Sequence, residues 1–167
     1  MKAYINDFEK IYRENYQSVY SFLHVLTQST DAAQRLTQNT FVNACKNILR
    51  YKETCSMKIW LLEEACKQFM HFLKTQNQVL DFSLLITDPE TPVSEKAEFQ
   101  WTGKVSTGEL DAFLSGLPQR DSLILLLRIF GDADYFELAG LTGISPESAA
   151  VIFTRTKERI KEVLFND

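Results

Sequence analysis

The sequence predicts an all-α protein of two helical units, a three-helix bundle and a four-helix domain, joined by a linker. Three observations predict it. Apolar side chains recur at spacings of three and four through most of the chain, the period of helices with one buried face. Only 6 Gly and 4 Pro occur in 167 residues, too few for an all-β fold built on tight turns. Hydrophobic residues make up 45% and charged residues 24%, the balance of a globular chain able to form a core.

The first unit is expected over 1–76. Its first helix runs from about Asp7 to Gln28, capped by Asn6 or Asp7, with Phe8, Ile11, Tyr12, Val19, Phe22, Leu23 and Leu26 on the apolar side. The second runs from about Asp31 to Arg50, capped by Thr30, with Leu36, Phe41, Ala44, Ile48 and Leu49 facing inward. The third runs from Ser56 to about Thr75 on Ile59, Leu62, Cys66, Phe69 and Leu73. Three amphipathic helices with short connections bundle together.

Residues 77–106 form the expected linker. Pro89 and Pro92 interrupt the segment and acids dominate it. Its apolar start, Val79 to Ile86, is suited to docking on a surface. The second unit, 107–167, opens with a short helix from Gly108 to Ser115. Leu117-Pro118 begins the next, with Pro in the first turn, where its missing N–H does no harm. Leu123, Ile124, Leu126, Leu127 and Ile129 make it strongly apolar, and Gly131 ends it. A helix from about Asp134 to Leu141 follows, then Thr142-Gly143-Ile144 as a turn. Ser145-Pro146-Glu147 opens the last helix with a cap, a first-turn Pro and a first-turn acid. Ala149, Ile152, Phe153, Thr156, Ile160, Val163 and Leu164 form its inward face.

Several function classes are disfavoured. No apolar run approaches the roughly 20 residues of a membrane span, and the N-terminus lacks the apolar core of a signal peptide. A cytoplasmic protein is expected. Three cysteines, Cys45, Cys55 and Cys66, cannot all pair within one chain and fit a reducing compartment. They and the two histidines, His24 and His71, lack the close spacing of metal ligands, so neither metal nor cofactor is expected. No nucleophile elbow, phosphate loop, zinc-protease motif or dinucleotide fingerprint is present. The carboxylates of Glu63 and Glu64 are adjacent, so on a helix they diverge, and neither is expected to face a pocket. An enzyme is therefore not expected.

Charge is uneven. The net charge is −4, but residues 1–76 carry 10 basic and 7 acidic side chains, whereas 77–106 carry 2 and 5 and 107–167 carry 6 and 10. Net acidity argues mildly against nucleic acid as a partner, and the basic first unit argues back. The sharpest local signal is a helix-turn-helix. Ala139 is small where helices approach, Gly143 suits a positive φ, Ile144 plugs the core, and Ala149 and Ile152 pack the second helix on the first. Such a helix fits a DNA major groove, while an ordinary helical hairpin satisfies the same spacing. Its N-terminal half offers Glu147, Ser148, Ala150, Val151 and Thr154, and only from Arg155 through Lys157, Arg159 and Lys161 is it basic. Those cations suit phosphates, or pairing with Glu158 and Glu162.

The ordered motifs resemble the extracytoplasmic-function (ECF) sigma factors, small two-domain specificity subunits of bacterial RNA polymerase. The stretch from Phe8 to Leu23 resembles the family's opening helix. Asp31-Ala-Ala-Gln-Arg-Leu-Thr-Gln-Asn-Thr-Phe41 resembles its D-A-E-D-L-x-Q-E-T-F signature, and Met57-Lys-Ile-Trp60-Leu-Leu the segment around T-W-L-Y. Leu117-Pro-Gln-Arg-Asp-Ser-Leu-Ile-Leu-Leu-Leu-Arg128 resembles L-P-x-x-x-R-x-x-x-L-L-R, and Asp134 to Ser145 resembles the helix-turn-helix. Together they span nearly the whole chain outside the linker.

The resemblance implies a sigma region-two-like domain over 1–76 and a region-four-like domain over 107–167. The first would bind the polymerase clamp through Asp31, Gln34, Arg35, Gln38 and Asn39. The loop from Tyr51 to Met57 corresponds to the one that captures a base flipped from the melted promoter. Glu53, Thr54 and Ser56 would line it, with Lys46, Arg50, Lys52 and Lys58 holding phosphates. Trp60 is expected in the core rather than as a stacking wedge. The second would contact the polymerase flap and the upstream promoter element through Ser145, Glu147, Ser148, Val151, Thr154, Arg155 and Lys157. Core RNA polymerase and promoter DNA are the implied partners, with an anti-sigma factor as a further one. Departures from the pattern are Gln34, Arg35 and Asn39 at usually acidic positions, Glu63-Glu64, and Ala150 and Ile152 where the recognition helix is often basic. They keep two alternatives open, a sigma-like protein that binds polymerase or a regulator without reading promoters, and a plain helix-turn-helix transcription regulator.

Overall fold

The computed structural model describes residues 2–82 and 103–165, with side chains from Asp7 onward. Seven α-helices are present among the described residues: α1 (Lys2–Thr27), α2 (Thr30–Asn47), α3 (Met57–Thr75), α4 (Thr107–Ser115), α5 (Gln119–Phe130), α6 (Tyr135–Thr142) and α7 (Pro146–Leu164). The all-α expectation, three helices and then four, is met.

Local chemistry sets most helix starts. Ser29 Oγ accepts from Ala32 N at 3.2 Å, Ser56 Oγ from Ile59 N at 3.3 Å, and Asp134 Oδ1 from Glu137 N at 2.8 Å. Ser106 and Glu109 form a reciprocal capping box at 3.1 and 3.2 Å. Ser145 Oγ accepts from Ser148 N at 3.1 Å, with Pro146 at the first helical position. Each such bond satisfies an N–H that the helix leaves without a partner. Gly143 takes φ +79°, and its N–H closes α6 on Ala139 O at 2.8 Å.

The structure moves several expected positions. Helix α1 begins at Lys2, so Asp7 lies within it rather than capping it. Ser29, not Thr30, caps α2, and Pro118 precedes α5 as its N-cap. Leu49 is 83% exposed, because the chain tightens into one 3₁₀ turn at Ile48–Arg50 and swings that side chain out of the helical register. Val163 is 61% exposed, since α7 outruns the core it packs on.

The linker expectation changes most. Its ends, β1 (Val79–Asp81) and β2 (Lys104–Ser106), pair antiparallel in the register Val79–Ser106, Leu80–Val105 and Asp81–Lys104. Leu80, Phe82 and Val105 are buried, so the apolar start of the segment does dock. Residues 83–102 lie outside those described. The ribbon is tied to its surroundings through backbone groups. Gln28 accepts from Asp81 N at 2.9 Å and donates to Asp81 O at 3.0 Å. Gln78 Nε2 donates to Thr27 O at 3.1 Å, and Thr107 Oγ1 donates to Gln76 O at 2.8 Å.

Helix α3 is the axis. It packs on α1 and α2, and also on α4, α5 and α6. Its buried residues include Ile59, Leu61, Leu62, Cys66, Phe69 and Leu73, a wider arc than one stripe, as a helix covered on two sides requires. Buried side chains of α3, the ribbon, α5 and α7 form one continuous apolar cluster.

Candidate functional site

Three surfaces gather the residues singled out above. On α2, Asp31, Gln34, Arg35, Gln38 and Asn39 are all exposed and lie on one face, at successive three- and four-residue steps. The opposite face, with Ala33, Leu36, Thr37, Thr40 and Phe41, is buried. The exposed face is polar and holds one acid and one base.

The second surface is the end of α2, the 51–56 loop and the start of α3. Lys46, Arg50, Lys52, Glu53, Thr54, Ser56 and Lys58 are all exposed. The loop is shaped from within. Glu53 adopts φ +57°, Tyr51 Oη donates to Cys55 O at 2.6 Å, and the Ser56 hydroxyl caps α3. Burial, with the carboxylate of Glu53 and the Cys55 thiol nearby, pushes the Tyr51 phenol above its ordinary value. The same hydroxyl of Ser56 donates to Glu137 Oε2 of α6 at 3.2 Å.

Beside that loop, Asn43, Asn47, Arg50, Trp60, Glu63, Glu64 and Lys67 line a cavity of about 220 Å³. This corrects one expectation and refines another. Glu63 and Glu64 both border the cavity, although they are adjacent on α3. Trp60 packs against the core yet is only half-buried, tilted against Tyr51 with ring centroids 5.4 Å apart, and it also borders the cavity. Asn43 Nδ2 donates to Glu64 Oε1 at 2.9 Å, and Lys67 pairs with Glu63 at 3.3 Å. An aromatic wall ringed by amides and charges can stack a flat ring and bond its edge. Asn43 and Asn47, four residues apart on α2, were the available signal for it.

The third surface is the helix-turn-helix, α6 and α7. Arg120, Ile144, Glu147, Ser148, Val151, Ile152 and Arg155 line a groove of about 420 Å³. Arg155 also borders a neighbouring cavity with Asp121 and Arg159. Val151, on its lining, is 59% exposed. Ser145 serves as the cap, Thr154 is exposed outside the groove, and Lys157 folds over the Phe153 ring at 5.5 Å. Ile152 is buried, so its apolar character is a packing requirement and not a missing phosphate contact. Arg120, on α5, was not among the expected residues; it meets Arg155 only through the fold. Arg128, closing the Leu117–Arg128 motif, donates to Ala133 O at 3.1 Å and lies over the Tyr135 ring at 4.9 Å, which fixes where α6 begins.

Among the described residues no group of His, Cys, Asp and Glu converges to hold a metal ion, and no helix is long and apolar enough to cross a membrane. Cys45, Cys55 and Cys66 are free thiols. The class this fold defines is an all-α helix-turn-helix protein with a second helical unit placed ahead of that motif.

No family model matches the chain. Curated relatives do, and both are RNA polymerase sigma factors to which the chain is similar over most of its length. It is 23% identical over 155 residues to the RNA polymerase sigma factor YlaC of Bacillus subtilis, 92% of this chain and 90% of that one. It is 26% identical over 160 residues to the ECF RNA polymerase sigma factor SigM of the same organism, 95% of this chain and 94% of that one. In fold it is similar to the sigma factor RpoE of Bartonella quintana, solved in complex with the anti-sigma factor NepR, with a TM-score of 0.50 at 17% identity over 96% of this chain and 98% of that one.

Proposed function

We propose that the chain is a sigma factor that joins core RNA polymerase in the cytoplasm and directs transcription initiation at a specific set of promoters. The observation that carries this is the end-to-end similarity to two sigma factors, which covers both helical units and not the helix-turn-helix alone. Residues 1–76 act as the polymerase- and melted-DNA-binding domain, 107–167 as the upstream-element domain, and 77–106 as their connection. The exposed α2 face around Asp31, Gln34, Arg35, Gln38 and Asn39 grips the polymerase clamp. The 51–56 loop receives a base flipped from the melted strand, while Lys46, Arg50, Lys52 and Lys58 hold phosphates, so unstacking is offset by stacking and hydrogen bonds. The groove around Val151, with Glu147, Ser148 and Arg155, faces base edges, and the Arg120 and Arg155 guanidiniums contact phosphates at its border.

The chain performs no bond-making itself in this reading. Nucleotide addition belongs to the polymerase, and an anti-sigma factor would act by covering one of these faces. Run-off transcription on sheared bacterial genomic DNA with core polymerase tests it. Added chain is expected to create a small set of new start sites sharing an upstream motif. Transcript ends identical with and without the chain would refute it.

A further inference from the structure

Leu49 is the most exposed large apolar side chain among the described residues, at 83%. Packing does not call for a leucine there, because the 3₁₀ turn Ile48–Arg50 carries it away from the bundle. A lone leucine on a surface is ordinary, but this one stands among cations. Lys46, Arg50 and Lys52 lie within three positions of it, all exposed, and none has an ion-pair partner among the described residues. The turn that holds it is braced at both ends. Asn47 Nδ2 donates to Asn43 O at 2.9 Å ahead of it, and Tyr51 N donates to Ile48 O at 3.2 Å behind it. The Tyr51 ring packs on Trp60, and its hydroxyl donates to Cys55 O at 2.6 Å. Asn47 and Arg50, on either side of Leu49 in the chain, line the cavity beside Trp60.

We propose that Leu49 is a strand-separating wedge, which enters the base stack of promoter DNA at the edge of the melted segment while the cations beside it hold the phosphates. The proposal deepens the sigma-factor reading and rests on it. An apolar side chain pushed between base pairs breaks their stacking and kinks the duplex, and its own burial among the bases offsets part of that loss. A wedge needs apolar bulk, a rigid mount so that it pushes rather than folds away, and phosphate contacts that hold the duplex against it. Leu49 supplies the first, the doubly braced turn the second, and Lys46, Arg50 and Lys52 the third. The neighbouring cavity gives an unstacked base a place to go, with the Trp60 ring and the amides of Asn43 and Asn47 on its lining. A protein partner fits less well, since the core of a protein interface is depleted of charge and the chain around Leu49 is cationic.

Opening the DNA beforehand separates a wedge from a contact. A promoter recovered by the run-off screen is prepared fully paired, and again with the segment nearest the start site mismatched so that it is already open. Transcription by Bacillus subtilis core polymerase is compared for the full-length chain, Leu49→Ala and Leu49→Met. Because Leu49 packs on nothing, L49A is expected to keep the urea midpoint of the unaltered chain, and L49M keeps apolar bulk at the same place. L49A is expected to lower transcription from the paired template about tenfold and from the mismatched one less than about twofold, with L49M within about twofold on both. A 2-aminopurine in the paired segment is expected to brighten with the unaltered chain and L49M and to stay dim with L49A. An equal loss on both templates would overturn the wedge and mark Leu49 as a contact for polymerase or phosphate. No loss on either would overturn it too, and so would an L49M that fails as L49A does. A chain that yields no transcript from the mismatched template in any form would remove the sigma reading and the wedge with it, a pattern that none of the other results shares.

Discussion

Replacing Leu80 with alanine probes whether the two units share one core. Leu80 is 0% exposed in the middle of β1, a strand of three residues paired to an equally short β2. A ribbon of this size has no independent stability, so its order depends on the core beneath it. Truncating a fully buried leucine removes its transfer free energy and leaves a cavity, a combined loss of about 2–5 kcal/mol. Val79, its neighbour on the same strand, is 62% exposed, and Val79→Ala is expected to cost no more than about 0.5 kcal/mol. Urea unfolding followed by circular dichroism, with hydrogen exchange resolved by peptide, separates the cases. The account expects one cooperative transition, shifted by L80A and hardly by V79A, with exchange accelerated in both α3 and α5. A shift below about 1 kcal/mol for L80A, or two transitions in the unaltered chain, would refute the shared core.

Three further outcomes follow from particular residues. Gly143→Ala places a Cβ at φ +79° and is expected to lower stability by about 1–2 kcal/mol in the same urea assay. Full burial pushes the Cys66 thiol well above its ordinary 9.0, so the native state favours the protonated thiol. That contribution is intact below pH 9.0 and declines as pH rises through it, because the unfolded thiol ionises first; the urea midpoint of the native chain is expected to fall more between pH 8 and pH 10 than that of Cys66→Ala. Arg155→Ala, at the edge of the helix-turn-helix groove, is expected to reduce the slope of log affinity for promoter DNA against log salt by about 0.9, with a slope equal to the unaltered chain's counting against that phosphate contact.

Helices and caps were legible because their signals are local. Apolar spacing of three and four marks a buried face within a single helix, and Ser145-Pro146 or Gly143 act on their own turn. The ribbon was not legible. Its pairs join residues on either side of 82–103, and three-residue strands carry too little alternation to show. Leu49 faces outward because a 3₁₀ turn breaks the helical period that assigned it inward. In the candidate site, the α2 face was legible only through the family resemblance, and its five residues share a face because one helix presents them all. The cavity by Trp60 and the Arg120–Arg155 groove were not, as each joins side chains from separate helices. Gly140 reads in sequence as a weak point of a helix; a Cβ there would collide with the Thr54 carbonyl, 86 positions earlier in the chain.

The central claim is that this chain is a polymerase-binding adaptor, and direct association measures it. The full-length chain is mixed with purified core RNA polymerase and resolved by size-exclusion chromatography, alone and with Arg35 and Gln38 on the exposed α2 face both changed to alanine. The account predicts a one-to-one complex for the unaltered chain and a weakened one for the variant. A chain that elutes wholly free of polymerase at micromolar concentration would contradict it.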